Sequence, residues 1–166
     1  MAAFKAGWTS FSLLSQATKQ NTTEFFKDFQ LEVEDWKDAQ AKIEKAEEEL
    51  NLTTSKSDII YFQQEKQLIN EATNSLLEGN FGLAIETADK LSPLLKETEK
   101  NRIATERGLQ NFKQTLETYT KQNGEEIYNK EIMLLTEAEN QYALGNLAAA
   151  NAKLSQAKEQ LNLTRE

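Results

Sequence analysis

The stretch Leu76-Leu77-Glu78-Gly79-Asn80-Phe81-Gly82-Leu83-Ala84 interrupts helical sequence with Gly-Asn. Sixty-six residues on, Ala143-Leu144-Gly145-Asn146-Leu147-Ala148-Ala149-Ala150 does nearly the same. Glycine takes positive φ at little steric cost and so ends a helix at C′, while an asparagine beside it can accept the first free amides of a following helix. Gly79-Asn80 and Gly145-Asn146 are therefore read as two-residue corners, each joining two antiparallel helices. Asn123-Gly124 closes a further helix by the same glycine logic.

Outward from each corner the apolar residues keep helical spacing. A stripe beginning at Asp58 runs through Ile59, Phe62, Ile69, Ala72 and Leu76 to the first corner, and Ala84, Ala88, Leu91 and Leu95 continue beyond it. Tyr128, Leu135, Ala138 and Tyr142 lead to the second, followed by Leu147, Ala150, Leu154, Ala157 and Leu161. At an offset of 66, Glu71/Glu137, Ala72/Ala138, Asn74/Asn140 and Ala84/Ala150 coincide, and Phe62/Tyr128, Phe81/Leu147 and Leu95/Leu161 agree in character. This marks an internal duplication of about 58–98 and 124–164.

Upstream, Phe26, Phe29, Val33, Trp36, Ile43 and Leu50 describe one long amphipathic helix, with Ala39 and Ala46 beside the stripe. Asn21 and Glu24 have the spacing of a capping box, which starts the helix near Thr22, and the hydroxyl-rich run Thr53-Thr54-Ser55-Lys56-Ser57 ends it. Trp36, Ala39, Ile43, Ala46 and Leu50 also align with Leu147, Ala150, Leu154, Ala157 and Leu161, so a degenerate third copy is read in 8–53. There Glu34-Asp35 stands in place of Gly-Asn, and the helix is expected to run through. Pro93 is expected to kink a helix or to open a new one, and Leu109, Phe112, Leu116 and Tyr119 carry the stripe onward past a polar stretch near 98–107.

Gly79-Asn80-Phe81 followed by Ala84, Ala88 and Leu91, and Gly145-Asn146-Leu147 followed by Ala150, Leu154 and Ala157, resemble the second half of tetratricopeptide-type helical hairpins. The resemblance covers residues 71–95 and 137–161. It implies helices packed closely through alanines and the binding of a protein or peptide on a concave helical face. The fold expected is all-α: six or seven helices in successive antiparallel hairpins, as a helical bundle or a short tetratricopeptide-like solenoid, in one domain spanning 1–166.

Composition narrows the function. A net charge of −8, from 27 acidic and 19 basic side chains, disfavours nucleic acid and anionic lipid, both of them polyanions. Residues 1–58 carry 7 basic and 11 acidic groups and the remainder 12 and 16, so neither part is basic. The absence of cysteine removes disulfides, thiolate metal sites and cysteine nucleophiles. The absence of histidine removes the commonest general base and transition-metal ligand, and with it serine triads and Glu-x-x-His di-iron sites. No catalytic, cofactor or metal residue is assigned and no enzyme is expected. The Gly79-Asn80-Phe81-Gly82 run lacks the third glycine, the Lys-Ser/Thr and the preceding strand of a phosphate loop.

No run of 18 apolar residues exists, so no transmembrane segment is expected within this chain. Phe4, Trp8, Phe11 and Leu14 form a stripe near the N-terminus, read as a helix that packs on the bundle; a signal peptide and continuation from a removed membrane anchor are the alternatives. The acidic group Glu32, Glu34, Asp35 and Asp38, together with Glu47-Glu48-Glu49, lacks the glycine-punctuated loop of a calcium site and reads as a solvated helix face. Trp8, Phe25 and Tyr61 are candidate interaction aromatics, because in Phe25-Phe26 and Tyr61-Phe62 adjacent side chains cannot both face one core. Asn21, Asn51 and Asn162 head Asn-x-Thr sequons, near the number that chance supplies, and tilt the compartment slightly toward extracellular.

These readings converge on a non-catalytic protein- or peptide-interaction scaffold that uses helix-face recognition. The ectodomain of a membrane-anchored surface or sensor protein and a small-molecule-binding helical bundle are the alternatives.

Overall fold

The computed structural model describes residues 22–55 and 57–165. Among them the chain is all-α and no strand forms. In order come α1 (Thr22–Thr54), a 3-10 turn (Ile59–Phe62), α2 (Gln63–Leu77), α3 (Phe81–Asp89), α4 (Leu91–Asn123), a second 3-10 turn (Glu125–Tyr128), α5 (Asn129–Ala143) and α6 (Leu147–Arg165). The chain divides into two compact units. One contains α1, α2, α3 and α4 as far as Leu95; the other contains Ser57–Phe62 and the chain from Lys96 onward.

In the first unit α2 and α3 pack on one another and α1 packs on both. Its core takes Ala39, Ile43, Ala46 and Leu50 from α1, Ile69, Ala72 and Leu76 from α2, Ala84 and Ala88 from α3, and Leu91 and Leu95 from the start of α4. Ala39 and Ala46 lie in the core, where the sequence put them beside the stripe; their small side chains let helices approach closely. At the C-terminus of α1, Thr53, Thr54 and Ser55 turn their hydroxyls onto the carbonyls of Glu49, Leu50 and Leu52 at 3.0, 2.9 and 2.7 Å. Acceptors that a helix end leaves open are thereby satisfied, and the first two of these residues stay helical where a loop was expected.

Only Lys90 separates α3 from α4. The amide that Pro93 lacks is the one that would have bonded the carbonyl of Asp89, the last residue of α3, and the Lys90 amide tightens instead onto Thr87 O at 3.3 Å. Pro93 is the third residue of α4, within the first turn, where a missing donor costs little.

In the second unit Leu109, Phe112 and Leu116 of α4 share a core with Tyr128, with Leu135 and Ala138 of α5, and with Leu154, Ala157 and Leu161 of α6. Each fully buried leucine stabilises the unit by about 1.5–3 kcal/mol. The polar stretch of α4 stays helical because its polar groups find partners: the buried Thr105 hydroxyl donates to Asn101 O at 2.7 Å and accepts from Asn151 Nδ2 at 2.8 Å.

The 66-residue offset extends to the first helix of each set. Ala39, Ile43, Ala46 and Leu50 have buried counterparts in Thr105, Leu109, Phe112 and Leu116, and the buried Glu65 has one in Glu131. Both glutamates occupy the third position of their helix, where the macrodipole favours a carboxylate. Glu131 accepts a short hydrogen bond from the Thr164 hydroxyl.

Candidate functional site

The corners are built from backbone hydrogen bonds. At the end of α2 the Gly79 amide donates to Leu76 O at 3.1 Å and the Asn80 amide to Ser75 O at 2.8 Å. At the end of α5 the Gly145 amide donates to Tyr142 O and the Asn146 amide to Gln141 O, both at 2.9 Å. Each is a Schellman closure with its glycine at positive φ, +83° and +80°. Asn80 makes no side-chain cap: its carbonyl accepts from Ala84 at 3.0 Å. The side chain of Asn146 turns back to Gln141 Oε1 at 3.0 Å. A residue shared between two helix ends is positioned by the carbonyls of the preceding helix, and this overrides the side-chain capping expected. Gly124 takes φ +94°, its amide donating to Thr120 O at 2.8 Å, and Asn123 Nδ2 donates to the Tyr128 hydroxyl at 3.0 Å.

The second unit holds a cluster of aromatic and charged side chains. Arg102 donates through Nε and Nη2 to the two carboxylate oxygens of Glu99, at 2.8 and 2.9 Å, and through Nη1 to Glu106 at 3.1 Å and the Tyr142 hydroxyl at 3.3 Å. Its guanidinium carbon lies 5.9 Å from the centre of the Tyr61 ring, and that ring is tilted against Tyr142 at 5.1 Å. Ser57 donates weakly to Glu99 at 3.4 Å. The hydrogen bond from Arg102 holds the Glu99 carboxyl below the usual carboxylate range, while bonding to Glu99 raises Arg102 further above its already high value. Burial, followed by the hydrogen bond with Tyr142, pushes the Tyr61 phenol up to about 12.

Tyr61 is thus half-buried in this cluster, and Phe62 beside it is fully buried. Ile59, which the sequence placed on the stripe with Phe62, opens the 3-10 turn and is exposed, while Phe62 at its end is fully buried. Chemically the cluster is a bidentate arginine–carboxylate fork shielded by tyrosines, a geometry that fixes position. Arg102 and Glu99 were missed although their i, i+3 spacing within α4 is local; what the sequence could not show is Tyr142, 40 residues away, which joins them. Glu65 and Glu131 were legible through the offset of 66 and were missed.

The other candidate surface lies in the first unit. Along α1 the core residues run from Ala39 to Leu50, and the same apolar sequence continues toward the N-terminus through Trp36, Val33 and Phe29, all half-buried. The cause is length: α1 has 33 residues against 15 in α2 and 9 in α3, roughly 50 Å against 22 and 14 Å at 1.5 Å per residue. Asp28, Glu32, Glu34, Asp35 and Asp38 along this part of α1 are exposed, with Lys27 and Lys37 among them. A groove of about 120 Å³ lies where α1 meets the start of α4, lined by Lys42, Lys45, Ala46, Glu49, Ala88, Asp89, Leu91 and Ser92. It is small beside ligand pockets of roughly 300–1,000 Å³. A 2.7 Å Lys42–Asp89 ion pair, both partners about half exposed, crosses it.

Trp8 and Asn21 lie outside the described residues, as does the side chain of Phe25. Asn51 and Asn162 are exposed within the last turns of α1 and α6. Among the described residues no group of three acidic side chains is placed to hold a metal ion, and no helix is long and apolar enough to cross a membrane. Comparisons with protein families, with curated proteins and with solved structures found no match.

Proposed function

We propose that this chain is a non-catalytic interaction module whose docking face is the apolar stripe Phe29-Val33-Trp36 of α1, and that its ligand is an amphipathic helix with a basic polar face. The observation that carries the reading is the change in burial along one helix: the stripe is continuous, yet among the described side chains full burial begins only at Ala39. A helix seated there would cover the remaining apolar surface in the helix-in-groove mode, read through anchors at i, i+3, i+4 and i+7. The acidic residues around the stripe set the partner's sign, because a complementary rim raises the encounter rate and penalises acidic competitors. The likeness of the two corners to tetratricopeptide hairpins supports the same class of function through packed helical hairpins that present a face.

The test is panning of the full chain against displayed peptides of helical length. Enrichment of basic amphipathic helices, with binding weakened at least tenfold by Val33→Asp or Trp36→Asp and unchanged by Leu163→Asp on α6, supports the reading. Peptides that bind all three variants equally, or no enrichment, overturn it.

A further inference from the structure

The groove between α1 and the start of α4 has an apolar floor of Ala46, Ala88 and Leu91. At the offset of 66 these correspond to Phe112, Leu154 and Ala157, all buried in the core of the second unit. A leucine has changed places: it stands at the second of the three positions in one unit and at the third in the other, so this exchange leaves the summed side-chain volume the same. The remaining difference is one phenyl ring, supplied by Phe112 in the second unit and missing at Ala46 in the first. The neighbouring pairs Ile43/Leu109, Leu50/Leu116, Ala72/Ala138 and Ala84/Ala150 are matched in size and do not make up the loss. A missing ring leaves a hollow that close-packed neighbours fill only in part. The groove measures about 120 Å³. An apolar cavity of roughly 150 Å³ is enough to take up benzene.

The rim adds charge to this hollow. Lys42 and Asp89 neutralise one another across it at 2.7 Å. Lys45 and Glu49, one turn apart on α1, also line it, and among the described residues the side chain of neither forms an ion pair or a hydrogen bond. In the second unit, where the ring is present, the same two positions hold the uncharged Asn111 and Thr115. The free ammonium and free carboxylate thus occur in the unit that has the hollow. Opposite charges one helical turn apart, beside a space the size of a ring, are complementary to a zwitterion that carries a ring.

We propose that this groove binds a free aromatic amino acid. Its ring lies on Ala46, Ala88 and Leu91, its α-carboxylate meets the Lys45 ammonium, and its α-ammonium meets the Glu49 carboxylate. Lys45 follows Trp36 by about two and a half turns and so projects from the opposite side of α1. The site is therefore independent of the face assigned above to a partner helix.

Titration of the isotope-labelled full chain with L-phenylalanine, followed by amide chemical shifts, tests the assignment. Saturable shifts at Ala46, Ala88 and Leu91 are expected, with a Kd on the order of 1 mM, as ordinary ligand efficiency gives a molecule of this size. Glycine, a zwitterion without a ring, should bind roughly tenfold more weakly or worse because it loses the burial of the ring. Benzyl alcohol, a ring without charge, should also lose roughly tenfold, and Lys45→Gln and Glu49→Gln roughly threefold each, as exposed charge pairs contribute. Ala46→Phe restores the ring of the second unit and should abolish the shifts; if that variant does not fold, Ala88→Leu, which restores Leu154, is the filling variant that should abolish them. No saturable shift below ~20 mM, glycine or benzyl alcohol binding as tightly as phenylalanine, or undiminished binding to the filled groove or to both glutamine variants overturns the proposal.

Discussion

Alanine in place of Gly145 should cost far more than alanine in place of Gly79, although the two glycines share φ and hydrogen bonding. At +83° and +80° an L side chain costs about 1–2 kcal/mol at either site, offset by about 0.4–1 kcal/mol from the stiffer unfolded chain. The surroundings separate them. A Cβ on Gly79 would meet nothing within 4 Å, whereas one on Gly145 would lie 2.5 Å from the carbonyl oxygen of Ile60 and 3.1 Å from both its carbonyl carbon and Cγ1. Backbone cannot rotate away as a side-chain tip can, so overpacking adds about 1–3 kcal/mol at Gly145 alone. The expected losses are about 1 kcal/mol for Gly79→Ala and about 2–4 kcal/mol for Gly145→Ala. Urea unfolding followed by far-ultraviolet circular dichroism measures both. Asparagine, which tolerates positive φ, separates the two causes: Gly79→Asn should recover most of the loss and Gly145→Asn little of it. Equal losses for the two alanine variants would refute the claim that the Ile60 turn is packed against this corner.

Three further outcomes follow from the second unit. Leu154→Ala should destabilise by about 2–5 kcal/mol. Its Cδ2 would lie 2.9 Å from a Cβ on Gly108, so Gly108→Ala should be near neutral alone but stabilising by about 0.5–1 kcal/mol beside Leu154→Ala, a coupling that a double-mutant cycle reads directly. The Glu99 carboxyl is lowered when folded, so it contributes stability above its ordinary value of 4.5 that is lost as pH falls through the folded value; Glu99→Gln should flatten that acid limb in pH-dependent unfolding. Tyr61 is raised when folded, so its contribution is whole below 10.0 and lost as pH rises toward about 12; Tyr61→Phe should remove that alkaline loss, and one late-titrating tyrosinate should vanish from the ultraviolet absorbance.

Features that depend on near neighbours were legible in the residues. Gly79, Gly124 and Gly145 sit at helix ends because local steric cost selects glycine there, and the stripes through Ile43, Ile69, Leu135 and Leu154 follow from helical periodicity. What needed tertiary placement was not legible. Arg102 and Tyr142 are 40 residues apart, and nothing in either neighbourhood marks them as partners. The role of Asn80 was misjudged because its local preference for capping gives way to the carbonyl of Ser75. The end of full burial at Ala39 was also hidden, because it depends on the length of α2 and α3 and on no property of α1 itself.

The most direct test is a fluorescence titration of an enriched basic amphipathic peptide against Trp8→Phe protein, in which Trp36 alone reports. Saturable binding that moves Trp36 emission, and is lost when Val33→Asp is added, is the result expected of a recognition face on α1. Equally tight binding that leaves Trp36 unchanged and survives Val33→Asp would contradict it.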